Sequence, residues 1–184
     1  YLQIEKLASC MAKISCSQLK NEDWENGYKK FYRPTEIGKK LLILPIWEPP
    51  PKTDRHILKL DPGISFGTGG HATTRLCLQY LEKCVTPDFR VLDLGCGSGI
   101  LTIAALLCGA KEAVGCDIDP LARDIAFVNA KENGFTPPQC EFIHGNVLSD
   151  VSIKKRFSSN PFQLVLANIV ADVIIPLSNF VRSF

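Results

Sequence analysis

A chain of 184 residues has room for one ordinary domain and an appendage, and its 46% apolar and 22% charged residues are the proportions of a globular protein. A net charge of +2 is too small to argue for a nucleic-acid partner, and the clusters Lys29, Lys30, Arg33, Lys39, Lys40 and Lys154-Lys155-Arg156 read as solvated faces and not as binding patches. The longest apolar stretch, Ile100 to Cys108, falls far short of the ~20 residues that span a bilayer. Glu5 and Lys6 interrupt the first apolar residues, so the sequence predicts neither a membrane partner nor a signal peptide, and the cytoplasm is the expected compartment.

Along the chain, Met11 to Leu19 alternates enough for a strand. Asn21 is an expected N-cap, followed by Glu22 and Asp23 at the positive helix end and by Trp24, Tyr28 and Phe31 on one stripe. Pro34 closes that helix, Leu41 to Ile46 reads as a strand, and Glu48-Pro49-Pro50-Pro51 as a stiff linker. The pattern then becomes regular. A strand at Ile57 to Leu60 precedes the glycine-rich loop Asp61 to Gly70 and a helix from about Thr73 to Cys84. Strand Val91 to Leu94, helix Gly99 to Leu107, strand Ala113 to Cys116 and helix Pro120 to Asn133 follow. Strands at Phe142-Ile143 and Leu164 to Ala167 come next, with a further helix after Ala171. Such alternation predicts a Rossmann-like α/β fold, a doubly wound parallel sheet with helices on both faces. Only sixteen residues follow Asn168, whereas one more βαβ unit needs about 30. The sheet therefore reads as lacking its last strands and the chain as a fragment, with an exposed edge on its fourth strand.

Eight cysteines raise the question of disulfides or metal. No C-x-x-C pair occurs, and Cys77, Cys84, Cys96, Cys108 and Cys116 fall in or beside predicted elements as small apolar residues do. Free buried thiols and no metal site are expected.

The chemistry concentrates in Asp93-Leu94-Gly95-Cys96-Gly97-Ser98-Gly99. A strand delivers the chain to a turn in which every second Cβ is missing, so backbone N–H groups can approach a ligand at a helix N-terminus. The next strand ends on Asp117, placed to accept two ribose hydroxyls, and Asp119-Pro120 opens the following helix as N-cap and N1. Together these predict a nucleoside-containing cofactor. The spacing is G-x-G-x-G and not the dinucleotide G-x-G-x-x-G. Asp93, two residues ahead of it, would repel a pyrophosphate but suit the amino group and sulfonium of S-adenosylmethionine (AdoMet), which favours AdoMet over NAD.

D-x-G-x-G-x-G is shared by class I methyltransferases of many substrates. Three other stretches narrow the resemblance: Asn21-Glu22-Asp23-Trp24, the loop Leu60 to Thr74 with Phe66-Gly67-Thr68-Gly69, and Ala167-Asn168-Ile169-Val170-Ala171. In this order they resemble the PrmA family, the bacterial methyltransferases of large-subunit ribosomal protein eleven. The resemblance implies a tail of an N-terminal substrate-recognition domain over residues 1–20, a connecting helix and linker over 21–56, and an AdoMet-binding domain over 57–184. It further implies methylation of amino groups, with cofactor contacts at Thr74, Gly95, Asp117 and Asn168, to which Asp93 and Gly97 of the turn are added. A large-subunit ribosomal protein is the implied partner, and a monomer is expected. Where the family usually has Thr and Pro, this chain has Gly70 and Ala72, so ordering the loop is expected to cost more.

Asn168 is the expected catalytic residue, its amide oxygen orienting the incoming amine. His71 reads as a loop-stabilising hydrogen-bond donor in preference to a catalytic base, and His144 with Asn146 as strand-end caps in preference to residues flanking an adenine. Two other readings stay open at this point. One is a different acceptor, RNA or another protein, on the same fold, although Asn168-Ile169-Val170 lacks the Asn-Pro-Pro-Tyr of several such enzymes. The other is a non-catalytic cofactor-binding or NAD-binding fragment.

Overall fold

The computed structural model describes residues 32–61 and 69–184, and the chain divides into two compact units, Tyr1–Tyr32 and Arg33–Phe184. The strand and helix expected before residue 32, the connecting helix included, and the Phe66-Gly67-Thr68 stretch lie outside the described residues. In the second unit the strands are β1 (Thr35–Ile37), β2 (Leu41–Pro45), β3 (His56–Leu60), β4 (Arg90–Leu94), β5 (Glu112–Asp117), β6 (Cys140–His144) and β7 (Leu164–Ala167). The helices are α1 (Ala72–Cys84), α2 (Ile100–Leu107), α3 (Pro120–Glu132), α4 (Val151–Ser159) and α5 (Ala171–Leu177), with a 3-10 turn at Val181–Ser183. Residues 35–45, grouped in the sequence reading with the connecting segment, thus supply two strands to the same unit as 57–184.

Four strands form a parallel sheet in the order β6-β5-β4-β7, and β1-β2-β3 form a smaller one in which β2 pairs antiparallel with β1 and parallel with β3. The strand period divides the core. Val91, Ala113, Cys140 and Phe142 face one side and pack with α2, α1 and the small sheet. Leu92, Leu94, Val114 and Cys116 face the other, against Ile153 and Phe157 of α4, Leu177 and Phe184. Helix α2 therefore lies between layers, which explains why Ile100 to Leu106 are all buried and its sequence is apolar all round. Helix α4 was not anticipated, yet Asp150 caps it by accepting from the N–H groups of Ser152 and Ile153, and Ile153 and Phe157 form its buried i, i+4 pair. β7 ends the large sheet, and among the described residues no strand pairs with its outer edge.

The small sheet is fastened to α1 by Glu82. Its carboxylate accepts from the N–H groups of Lys39, Lys40 and Leu41 at 2.9, 2.9 and 3.0 Å. Glu82→Ala removes all three bonds, two of them solvent-exposed. The urea unfolding midpoint is expected to fall by the equivalent of about 2 kcal/mol. An unchanged midpoint would deny Glu82 this fastening role.

The six described cysteines, Cys77, Cys84, Cys96, Cys108, Cys116 and Cys140, are all free. Burial pushes the Cys108 thiol up to about 11 and those of Cys116 and Cys140 to about 12, so they remain protonated and unreactive at neutral pH. Among the described residues no His, Cys, Asp or Glu group is arranged to hold a metal, and no helix is long and apolar enough to cross a membrane.

Candidate active site

At the C-terminal ends of β4, β5 and β7 lies a cavity of about 580 Å³, within the range of small-molecule sites. This is the crevice beside the crossover in strand order where such sheets bind ligands. Gly95 and Gly97 of the turn, Asp117 at the tip of β5 and Asn168 after β7 all line it. Four of the six residues singled out from sequence therefore meet at one place.

The other two stand behind the wall. Asp93 is 1% exposed and faces the α2 side of the sheet, where one carboxylate oxygen accepts from the Thr102 N–H at 3.1 Å and the Thr102 hydroxyl at 2.8 Å. The reason lies at the start of α2. Its N-cap is Gly99, in the left-handed region at φ 79°, and a glycine has no side chain with which to cap. Asp93 supplies the missing acceptor to the helix's third residue from the preceding strand. Asp93, expected from sequence beside the ligand, thus lies behind the cavity wall and braces the turn. Burial pushes its carboxyl up to about 6 against the two Thr102 bonds, which pull it down, and the Asp117 charge raises it further. In the folded chain Asp93 thus holds a proton that the unfolded chain has released between about pH 4 and 6. Its contribution to stability is whole below that window and is lost as the pH rises through it. The Asp93 side-chain carboxyl carbon is expected to titrate by NMR with a midpoint near 6. A midpoint at the ordinary carboxylate value would contradict this placement.

Thr74 is likewise 1% exposed, and its hydroxyl accepts from the Asn168 side-chain amide at 3.0 Å. The hydroxyl that the sequence offered to a ligand is turned toward Asn168, while Thr73 and His71 line the cavity in its place. His71 is the N-cap of α1, accepting from the Thr73 N–H.

The turn itself behaves differently from a phosphate cradle. Gly95 and Cys96 donate their N–H groups to the Cys116 carbonyl at 2.8 and 3.3 Å, Gly97 donates to an Asp117 carboxylate oxygen at 2.8 Å, and Gly99 donates to the Cys96 carbonyl at 2.8 Å. These amides point inward, contrary to the expectation that they face the ligand. What Gly95 contributes is conformation and space: its φ is 74°, and a Cβ there would lie 2.2 Å from Ile169 Cγ2.

Asp117 is shared between turn and cavity. One of its oxygens accepts from Gly97 and the other from the Asp119 N–H at 3.0 Å, which leaves each a further lone pair. Beside it Ile118 lies 69% exposed on the cavity lip, facing a wall built from Gly145, Asn146, Val147 and Leu148. His144 does not line the cavity; its ring meets the Ile118 carbonyl at 3.2 Å, while Asn146 does line it. Ile118, Val147, Ile169 and Val173 were missed from sequence. The signal for Ile118 was a large apolar residue directly after a strand-end acid and before a helix cap.

The fold and the cavity at its strand ends define a Rossmann-like α/β domain of the class I methyltransferase type. Within that class, the family model described as "Ribosomal protein L11 methyltransferase (PrmA)" matches residues 2–184, and the chain belongs to this family. Proteins named ribosomal protein L11 methyltransferase from Clostridium botulinum strains Eklund 17B and Alaska E43 are each 42% identical over 167 residues. That alignment covers 90% of this chain and 50% of each relative, so the chain spans about half the length of the curated relatives it matches. A crystal structure of ribosomal protein L11 methylase from Lactobacillus delbrueckii subsp. bulgaricus superposes with a TM-score of 0.71 at 34% identity. The superposition covers 83% of this chain and 74% of that one.

Proposed function

We propose that this chain is the cofactor-binding part of an enzyme that transfers methyl groups from AdoMet to amino groups, lysine side chains or the N-terminus, of a large-subunit ribosomal protein in the cytoplasm. The observation that carries the cofactor assignment is Asp117 on the cavity wall, each of its oxygens held by one backbone N–H and still able to accept a ribose hydroxyl. The inward-pointing amides of the turn support it from the other side, since a dinucleotide's pyrophosphate needs donors that this turn has already committed. The exposed Ile118 face suits the flat adenine ring, and the bare Gly95 lets Ile169 pack onto the turn as part of the cavity's apolar wall. Family membership supports the substrate.

When bound, AdoMet supplies a methyl group made electrophilic by its sulfonium. The chain's own task is to present a neutral amine in line with it and to exclude water. A lysine amine with a pKa of ~10.4 is neutral in about 1 in 2,500 molecules at pH 7, a cost of ~4.6 kcal/mol. The apolar cavity wall around Ile169, Val170 and Val173 disfavours the ammonium form and reduces that cost. Asn168 lines the same wall with its amide nitrogen committed to Thr74, which leaves the amide oxygen to accept from the incoming amine. Thr74 and Asp93 support the site from behind on this reading.

The test is methyl transfer by the full-length protein from labelled AdoMet to ribosomes not already methylated. Label is expected on amino groups of one large-subunit protein. Label in RNA, or none in any ribosomal protein, would overturn the assignment.

A further inference from the structure

Helix α3 carries Asn129, and its C-cap is Asn133 one turn on; both face the outer edge of β3. Asn133 accepts from the Lys59 N–H at 2.8 Å and donates to the Lys59 carbonyl at 2.7 Å. Asn129 does the same at Asp61, accepting at 2.9 Å and donating at 3.3 Å. The spacings match: four residues of helix rise about 6 Å, and two residues of strand about 6.6 Å. Two side-chain amides thus pair with β3 as a neighbouring strand would.

Asn129 does one thing more. It is 1% exposed, and its second amide hydrogen goes to the Ser98 carbonyl at 3.0 Å, inside the glycine turn. The same face of α3 presses on that turn through Ala126, whose Cβ would sit 2.9 Å from a Cβ built on Gly99. One buried side chain therefore holds both the residue at which β3 leaves the small sheet and the peptide at which the turn enters α2. Asn133 has no bond to the turn.

We propose that Asn129 is a positioning residue for the cofactor site, setting the glycine turn against the end of β3 so that the small sheet and the turn move as one on binding. The inference rests on the AdoMet reading above. Asn133 provides the control, because Asn133→Ala strips the same pair of strand bonds from β3, together with a bond to the Asn129 carbonyl at 2.8 Å, and removes no bond to the turn.

In the full-length protein, calorimetric titration with AdoMet is the measurement, alongside thermal unfolding of each variant. Both substitutions lower the unfolding temperature; Asn129→Ala raises the AdoMet dissociation constant by about tenfold or more, while Asn133→Ala moves it by less than about threefold. Equal effects of the two on affinity would reduce Asn129 to a structural tie and overturn the proposal. Should Asn129→Ala fail to fold, hydrogen exchange in the parent protein decides: AdoMet is expected to raise protection of the Asp61 amide together with that of Gly97 and Gly99. An Asp61 amide indifferent to AdoMet while the turn responds would overturn it equally. A parent that binds no AdoMet at all sinks the cofactor reading itself, a separate outcome.

Discussion

Replacing Asp117 with asparagine is expected to lower the affinity for AdoMet by about 100-fold or more, a larger effect than the near-identical shape suggests. Both carboxylate oxygens already accept backbone N–H groups, from Gly97 and from Asp119. An amide has only one oxygen, so its NH2 must face one of those two donors. The substitution therefore loosens either the glycine turn or the start of α3, in addition to removing the acceptor for one ribose hydroxyl. Each charge-assisted bond of this kind contributes about 1.5–3 kcal/mol, and two of them account for a change of this size. Calorimetry on the variant and its parent measures it directly. Affinity within about threefold of the parent would remove Asp117 from the cofactor site.

The second large effect is expected at Asn168 and should fall on turnover. Its amide nitrogen is committed to Thr74 at 3.0 Å, and the side chain lines the cavity. On the proposed reading the amide oxygen orients the acceptor amine, which is absent when AdoMet binds alone. Asn168→Ala should therefore lower kcat by about 100-fold, the scale of a misplaced reacting group, while the AdoMet dissociation constant moves by only a few fold. Unchanged turnover would show that Asn168 has no part in the reaction.

Much of the fold was legible because turn chemistry and periodicity agree along the chain. Asp119-Pro120 marks a helix start that the structure reproduces, with Asp119 capping Leu121. The alternation from Val91 onward became the parallel sheet, with element ends moved by a residue or two, while the strand expected at Ile57 to Leu60 joined the small sheet. Thr35–Ile37 escaped notice because three residues carry no readable period, and α4 because its apolar pair sits among lysines and an arginine that drew attention as a charged cluster. The site was legible by membership more than by orientation. The spacing of Asp93 relative to the glycines names a motif, yet a strand's period of two decides which residue faces the ligand. That period sends Leu94 to the cavity and Asp93 to α2. Likewise the glycines mark the turn but not the direction of its amides, which the carbonyl of Cys116 and the carboxylate of Asp117 determine. The apolar wall of Ile118, Ile169 and Val173 looks, in sequence, like any other core residues. Only the arrangement of three strand ends separates it from the core.

On the proposed reading the glycine turn and Asp117 form a nucleoside site without a phosphate cradle. Parallel calorimetric titrations of the protein with AdoMet and with NAD test it most directly. Saturable one-to-one binding of AdoMet and none of NAD at comparable concentrations is expected; binding of NAD without binding of AdoMet would contradict that reading.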